Sequence, residues 1–123
     1  MRTIKLWVTG SATANNAANI IVPGRATLRG VQVALRINSI TDGAQLDLEL
    51  SRASAREIQV NSSQQCILQV CYESNFVTSG LAQGGLNQFF PCSCPLEQGQ
   101  MIYAHALIAG TVIYDATFIL HFA

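Results

Sequence analysis

An all-β fold, closed into one sandwich or barrel, is what this chain predicts. Three observations carry the prediction. Strand-length runs rich in Val, Ile, Leu, Thr and aromatic residues recur from end to end, and Gly, Pro and Asn cut them apart. The 123 residues suit a single domain, which at this size buries roughly two thirds of its unfolded surface. Strands on one small domain must also resolve their exposed edges, and a sandwich or barrel does that.

The runs are Ile4–Thr9, Asn19–Val22, Ala26–Ile37, Gln45–Arg52, Cys66–Glu73, Asn87–Cys94, Met101–Ala109 and Thr111–Phe122. In the first, Ile4, Leu6 and Val8 alternate with Lys5, Trp7 and Thr9. It reads as a first strand or an extended arm, either folded back on its own sheet or laid on a neighbouring subunit. Gly10 to Asn19 is small, polar and uncharged, and reads as a loop. Residues 1–18 are therefore set apart as arm and loop, and 19–123 as the sandwich domain.

Val22-Pro23-Gly24-Arg25 is a turn, with proline at the first corner and glycine at the next. Leu28, Val31, Val33, Leu35 and Ile37 are apolar, and their phase slips by one residue at Gly30, which predicts a bulge. Thr41-Asp42-Gly43 carries a hairpin signal. Leu46, Leu48 and Leu50 alternate with Asp47, Glu49 and Ser51, the pattern of a half-buried strand with a solvated face. Residues 51–63 are irregular, and Ser74–Gly85 reads as a loop long enough to be functional or interfacial. Glu97 to Gln100 is a tight turn, and the last two runs join at Gly110.

Only 11% of residues are charged and the net charge is zero, against about 25% in an average soluble protein. So little charge predicts a surface covered by copies of itself or by a partner. Six scattered arginines and one lysine, offset by seven acids, form no basic stripe, which argues against nucleic acid as partner. No run approaches 18 apolar residues and no secretion signal opens the chain, so neither a membrane nor an oxidising compartment is expected. The four cysteines, spaced C-x4-C and C-x-C, read as buried free thiols rather than a zinc site or bridges.

No catalytic kit is legible. His105 and His121 are the two histidines, with Asp115 as a carboxylate on the neighbouring run, but no G-x-S-x-G elbow exists. Asp47 and Glu49 share a face, yet read as solvated rather than as a glycosidase pair. A cupin-type metal site needs more histidines, closer together, and no cofactor or metal is expected. Trp7, Tyr72, Tyr103 and Tyr114 are the residues able to stack on a sugar.

Three segments resemble small jelly-roll proteins of tailed-phage virions. They are Val22-Pro-Gly-Arg-Ala-Thr-Leu-Arg-Gly-Val-Gln-Val-Ala-Leu, Asn87-Gln-Phe-Phe-Pro91, and Glu97-Gln-Gly-Gln-Met-Ile-Tyr-Ala-His105 with the closing Ala-Thr-Phe-Ile-Leu-His-Phe strand. Together they cover somewhat under a third of the chain. The resemblance implies a single eight-stranded antiparallel jelly roll with an N-terminal arm, which the eight runs also fit. An immunoglobulin-like sandwich comes second, because Trp7 lies far outside the Cys66–Cys94 region.

By function the resemblance implies a capsid decoration or cement protein. Such a protein, often a homotrimer, binds the major capsid protein and bridges capsomers on a virion assembled in a bacterial cytoplasm. The elements expected to make contact are Lys5, Leu6 and Trp7 on the arm, Arg25 and Arg56 near turns, and Asn75 and Phe76 in the long loop. A receptor- or glycan-binding module of a tail fibre is the alternative.

Overall fold

The computed structural model describes residues 2–41, 43–54, 66–73 and 82–123. They form a β-sandwich of eight strands: β1 (Arg2–Gly10), β2 (Ala14–Ile21), β3 (Ala26–Ile40), β4 (Gln45–Ser51), β5 (Cys66–Glu73), β6 (Ala82–Leu96), β7 (Met101–Ala109) and β8 (Val112–Phe122). One sheet runs β1-β8-β3-β6 and the other β2-β7-β4-β5, with every pairing antiparallel. The first strand pairs with the last, the second with the seventh, the third with the sixth and the fourth with the fifth. That is the pattern of a long hairpin, folded at its middle and then rolled, so that successive strands alternate between sheets except at β4–β5.

The core lies where the two inner faces meet. β3 contributes Leu28, Val31, Val33, Leu35 and Ile37, β8 contributes Tyr114, Phe118 and Leu120, and β4 and β7 face them with Leu46, Leu48, Leu50, Ile102 and Ala104, all buried. Period-two alternation puts these on one face of each strand. The bulge expected at Gly30 is present, since register slips between Leu28 and Gly30 in the pairing of β3 with both neighbours.

The N-terminal run lies on its own chain's sheet, as edge strand β1 in register with β8 from Arg2↔Phe122 to Gly10↔Tyr114. The loop expected over Gly10 to Asn19 is shorter than its composition suggested, because Ala14–Ile21 is strand β2. The Ser74–Gly85 loop likewise ends earlier, since β6 begins at Ala82. Residues 74–81 and most of the irregular 51–63 stretch lie outside the described residues.

Thr41–Gly43 is a turn but not a hairpin. Gly43 sits at φ 74° and Ala44 N–H donates to the Thr41 carbonyl at 3.1 Å, yet the chain passes from one sheet to the other there. Gly110, at φ 81°, makes the matching passage from β7 to β8. The two crossovers are laced together: Thr41 N–H donates to the Thr111 carbonyl at 3.1 Å and Thr111 N–H to Thr41 Oγ1 at 3.3 Å. A Cβ at Gly110 would lie 2.8 Å from the Ala44 Cβ, so this corner needs glycine for space as well as for φ.

Burial pushes the Tyr114 phenol from 10.0 up to about 12. The unfolded chain releases this proton from pH 10 upward while the folded chain holds it until about 12. The contribution is therefore fully present below pH 10 and is lost as pH rises through 12, by about 2–3 kcal/mol in all. Urea midpoints at pH 9 and pH 11.5 test this. Tyr114→Phe is expected to lose less stability over that interval than the wild type, and equal losses would remove Tyr114 as the cause.

Candidate functional site

The β1-β8-β3-β6 sheet presents one outward face held by its strands. Cross-strand register aligns it in rows. One row runs Trp7, Thr117, Ala34, Asn87 and the next Lys5, Ile119, Gln32, Phe89. Thr9, Asp115 and Arg36 flank them on one side. Lys5 is the one charge in the two central rows.

Trp7 is 64% exposed and Phe89 49%, at opposite edges of this face, and Ile113 is also exposed. A large apolar side chain on a strand's outer face is the kind of residue that anchors an interface. Gln32 Nε2 donates to Asn87 Oδ1 at 3.0 Å, which fixes these two amides near Phe89, and Asn38 Nδ2 donates to Asp115 Oδ2 at 3.3 Å on the flank of the face.

Phe89 is held by its surroundings. Its ring lies over Gly30, where an added Cβ would fall 2.1 Å from the ring. It also meets His121 edge-on, with centroids 5.5 Å apart at 76°. His121 Nε2 is buried beside it with no hydrogen-bond partner.

Of the residues expected at an interface, Lys5 and Trp7 point outward on this face, while Leu6 points the other way and is buried at 4%. Arg25 sits at the opposite end of β3, with its Nε 3.8 Å from Glu97 Oε1. Both side chains are exposed, so this pair adds little stability. It ties together two turns already joined by Val22 N–H to the Gln100 carbonyl and Gly99 N–H to the Val22 carbonyl. Arg56, Asn75 and Phe76 lie outside the described residues.

His105 and Asp115 do not approach as neighbours on adjacent strands, because β7 and β8 belong to different sheets. The sequence reading missed what stands opposite His105. Glu49 is its direct partner across β4–β7, and Ser51 stands opposite Tyr103. Glu49, Ser51 and His105 are all fully buried, although they lie on the outward side of their sheet. Ala53, just past the end of β4, lies over them: His105 Nε2–H donates to its carbonyl at 2.8 Å, and its N–H donates to Ser51 Oγ at 3.0 Å. Tyr103 stacks on the His105 ring at 6.1 Å and 9°. This cluster is sealed and fastens the chain leaving β4 onto the sheet.

All four cysteines are free thiols, but none is buried as expected: Cys66, Cys92 and Cys94 are half-buried and Cys71 is exposed. Cys71, opposite Asp47, has its thiol pushed up to about 12 by desolvation first, then by the Asp47 and Glu73 carboxylates. It therefore stays protonated at neutral pH and is a poor nucleophile. Burial raises Cys92 as well, and its thiol points at the Leu28 carbonyl 3.6 Å away. Cys66 stands opposite Ser51, where the β4–β5 register slips.

Among the described residues no group of three or more His, Cys, Asp or Glu is placed to hold a metal ion. A small cleft of about 40 Å³ opens between β5 and β6, lined by Val31, Ile67, Leu68, Phe90, Pro91 and Cys92. No protein-family model matches the chain, and no curated protein is significantly similar to it.

Proposed function

We propose that this protein is a non-enzymatic structural component of a phage virion, a capsid decoration protein that bridges and stabilises capsomers. The observation that carries the reading is the outward face of the β1-β8-β3-β6 sheet: broad, nearly uncharged in its central rows, and studded with Trp7 and Phe89. The strand order supports the jelly-roll fold of the resemblance, since first-with-last pairing of eight strands is how such a roll is wound. Copies associate, as trimers in the form the resemblance implies, and lay this face on the major capsid protein. Weak contacts repeated by lattice symmetry add through multivalency and favour the bound state of the shell.

Co-sedimentation with mature capsids of the parent phage tests this. Wild-type protein is expected to pellet with capsids. Trp7→Ala is expected to weaken binding roughly 30-fold per site, the loss of an anchoring aromatic. Wild-type protein left in the supernatant would overturn the reading, and a Trp7→Ala protein that pellets like wild type would remove this face from it.

The exposure of Trp7 also favours a second reading, a glycan-binding module. An indole beside the Thr117 hydroxyl, with the neutral amides of Gln32 and Asn87 farther along the same face, offers a stacking surface with polar groups on its sheet. A glycan array with hits lost in Trp7→Ala would select this reading over the first.

A further inference from the structure

We infer that copies of this chain attract one another end to end, the basic end of one sandwich against the acidic end of the next. The fold sorts charges that are scattered in the sequence. Arg2 opens β1 opposite Phe122, and Arg29 follows Leu28, which also stands opposite Phe122. Arg25 and Glu97 lie in the two joined turns at this end, and Arg52 follows Ser51, the last residue of β4. Lys5, opposite Ile119, belongs to the same half. Even with buried Glu49, at mid-strand, counted here beside Glu97, five cations stand against two acids. The other half reverses the sign. Asp47 and Glu73 stand around Cys71, and Asp115 stands opposite Arg36, so three acids face one cation. Beyond the described residues, Arg56 and Glu57 cancel as neighbours in sequence, and Asp42 falls between Thr41 and Gly43 of the acidic end. Three surplus positive charges at one end thus match three surplus negative charges at the other, which is how the chain reaches its net charge of zero.

These charges are accessible. Arg2, Lys5, Arg25, Arg29 and Glu73 are exposed, and Asp47 and Asp115 are half-buried. Cys71 lies in the negative field: after desolvation, the Asp47 and Glu73 carboxylates help to push its thiol up to about 12. Along β8 the levels of Asp115 and Phe122 are about 23 Å apart, well beyond the screening length of about 8 Å at physiological ionic strength. Each end therefore acts as a patch of its own on whatever touches it.

A second copy is the occupant that both patches fit. Every chain carries both members of the complementary pair, and zero net charge leaves no overall repulsion between copies. A two-fold arrangement would set like ends together, so the contact is head to tail, and it closes into a ring or runs on as a file. The end of a pair of four-stranded sheets is small, so each contact is weak and gains from repetition. Salt gives it a signature, because screening weakens contacts between opposite charges and leaves apolar ones such as those of Trp7 in place.

This rests on the self-associating part of the proposed function, and its test separates the two. Association is measured by light scattering over a concentration series at about 20 mM and about 500 mM NaCl. Two variants, each checked for the sandwich by circular dichroism, reverse two charges and keep the net charge at zero. Arg29→Glu with Glu73→Arg takes charge from both ends, whereas Arg25→Glu with Glu97→Arg exchanges an exposed pair within one end. Wild type is expected to associate at least about tenfold more weakly at the higher salt. At the lower salt the first variant is expected to associate at least about tenfold more weakly than wild type, and the second like wild type. A first variant that associates like wild type, or a wild-type association that salt leaves unchanged or strengthens, overturns the end contact while leaving self-association intact. A monomeric wild type at low salt that still pellets with capsids overturns the end contact while leaving the decoration reading intact.

Discussion

Replacing Phe118 with alanine is expected to cost about 3–5 kcal/mol, the range for emptying a fully buried aromatic site. Phe118 is 0% exposed, on a strand flanked on both sides. It stands in one row with Leu6 of β1 and Val33 of β3, both buried. The sheet backbones fix the positions of these neighbours, so they close only partly over the vacated volume. For 123 residues the unfolding entropy is about 0.26 kcal/mol/K, so the melting temperature should fall by roughly 10–20 °C. Against a total stability of about 5–15 kcal/mol, that leaves the domain marginal. Ile113→Ala, on the same strand but 45% exposed, is expected to stay within about 0.5 kcal/mol of wild type. A Phe118→Ala melting temperature within a few degrees of wild type would mean that this ring is not in the core.

Phe118 belongs to the part of the structure that was legible in the sequence. Wherever apolar residues alternate cleanly, as along β3, β4 and β8, the pattern names both the strand and its inner face, and even the slip at Gly30 shows as a change of phase. Alternation is silent about which strand pairs with which. Thr41–Gly43 and Gly110 have the chemistry of tight turns, and that chemistry is the same for a hairpin as for a passage between sheets. β2 was hidden because Ala and Asn are weak strand formers; it exists through its partner, with Ala14 opposite Ala106 and Ala18 opposite Ala104. The start of β6 was hidden by Gly84-Gly85, which reads as loop. At Gly85 a Cβ would fall 2.5 Å from the Leu35 carbonyl oxygen, so the glycine there serves close strand approach rather than a turn. Trp7 was legible as an outward residue of an alternating run, but its row with Thr117, Ala34 and Asn87 depends on register between distant segments. The same holds for Glu49, whose alternation with leucines is equally that of a solvated face.

The sealed Glu49–His105 pair is therefore where removing a single side chain should have an effect that exposure patterns in the sequence would not suggest. His105→Leu removes the donor to the Ala53 carbonyl and leaves Glu49 facing an apolar side chain in a fully buried site. Leaving the Ala53 carbonyl without its donor costs about 1–3 kcal/mol, so a loss in that range is expected. Glu49→Leu should be costly too, because it removes the interactions of a fully buried polar side chain. The double variant places two apolar side chains opposite each other and should cost clearly less than the two singles together, with a coupling of about 1–3 kcal/mol. Urea unfolding of the four proteins measures it. Because Ala53 is held from both sides, by His105 and by Ser51, His105→Leu should also speed amide exchange at Ala53, whose N–H bonds Ser51 Oγ. Two single losses that simply add, with exchange at Ala53 unchanged, would show that Glu49 and His105 are neighbours in register without acting on each other.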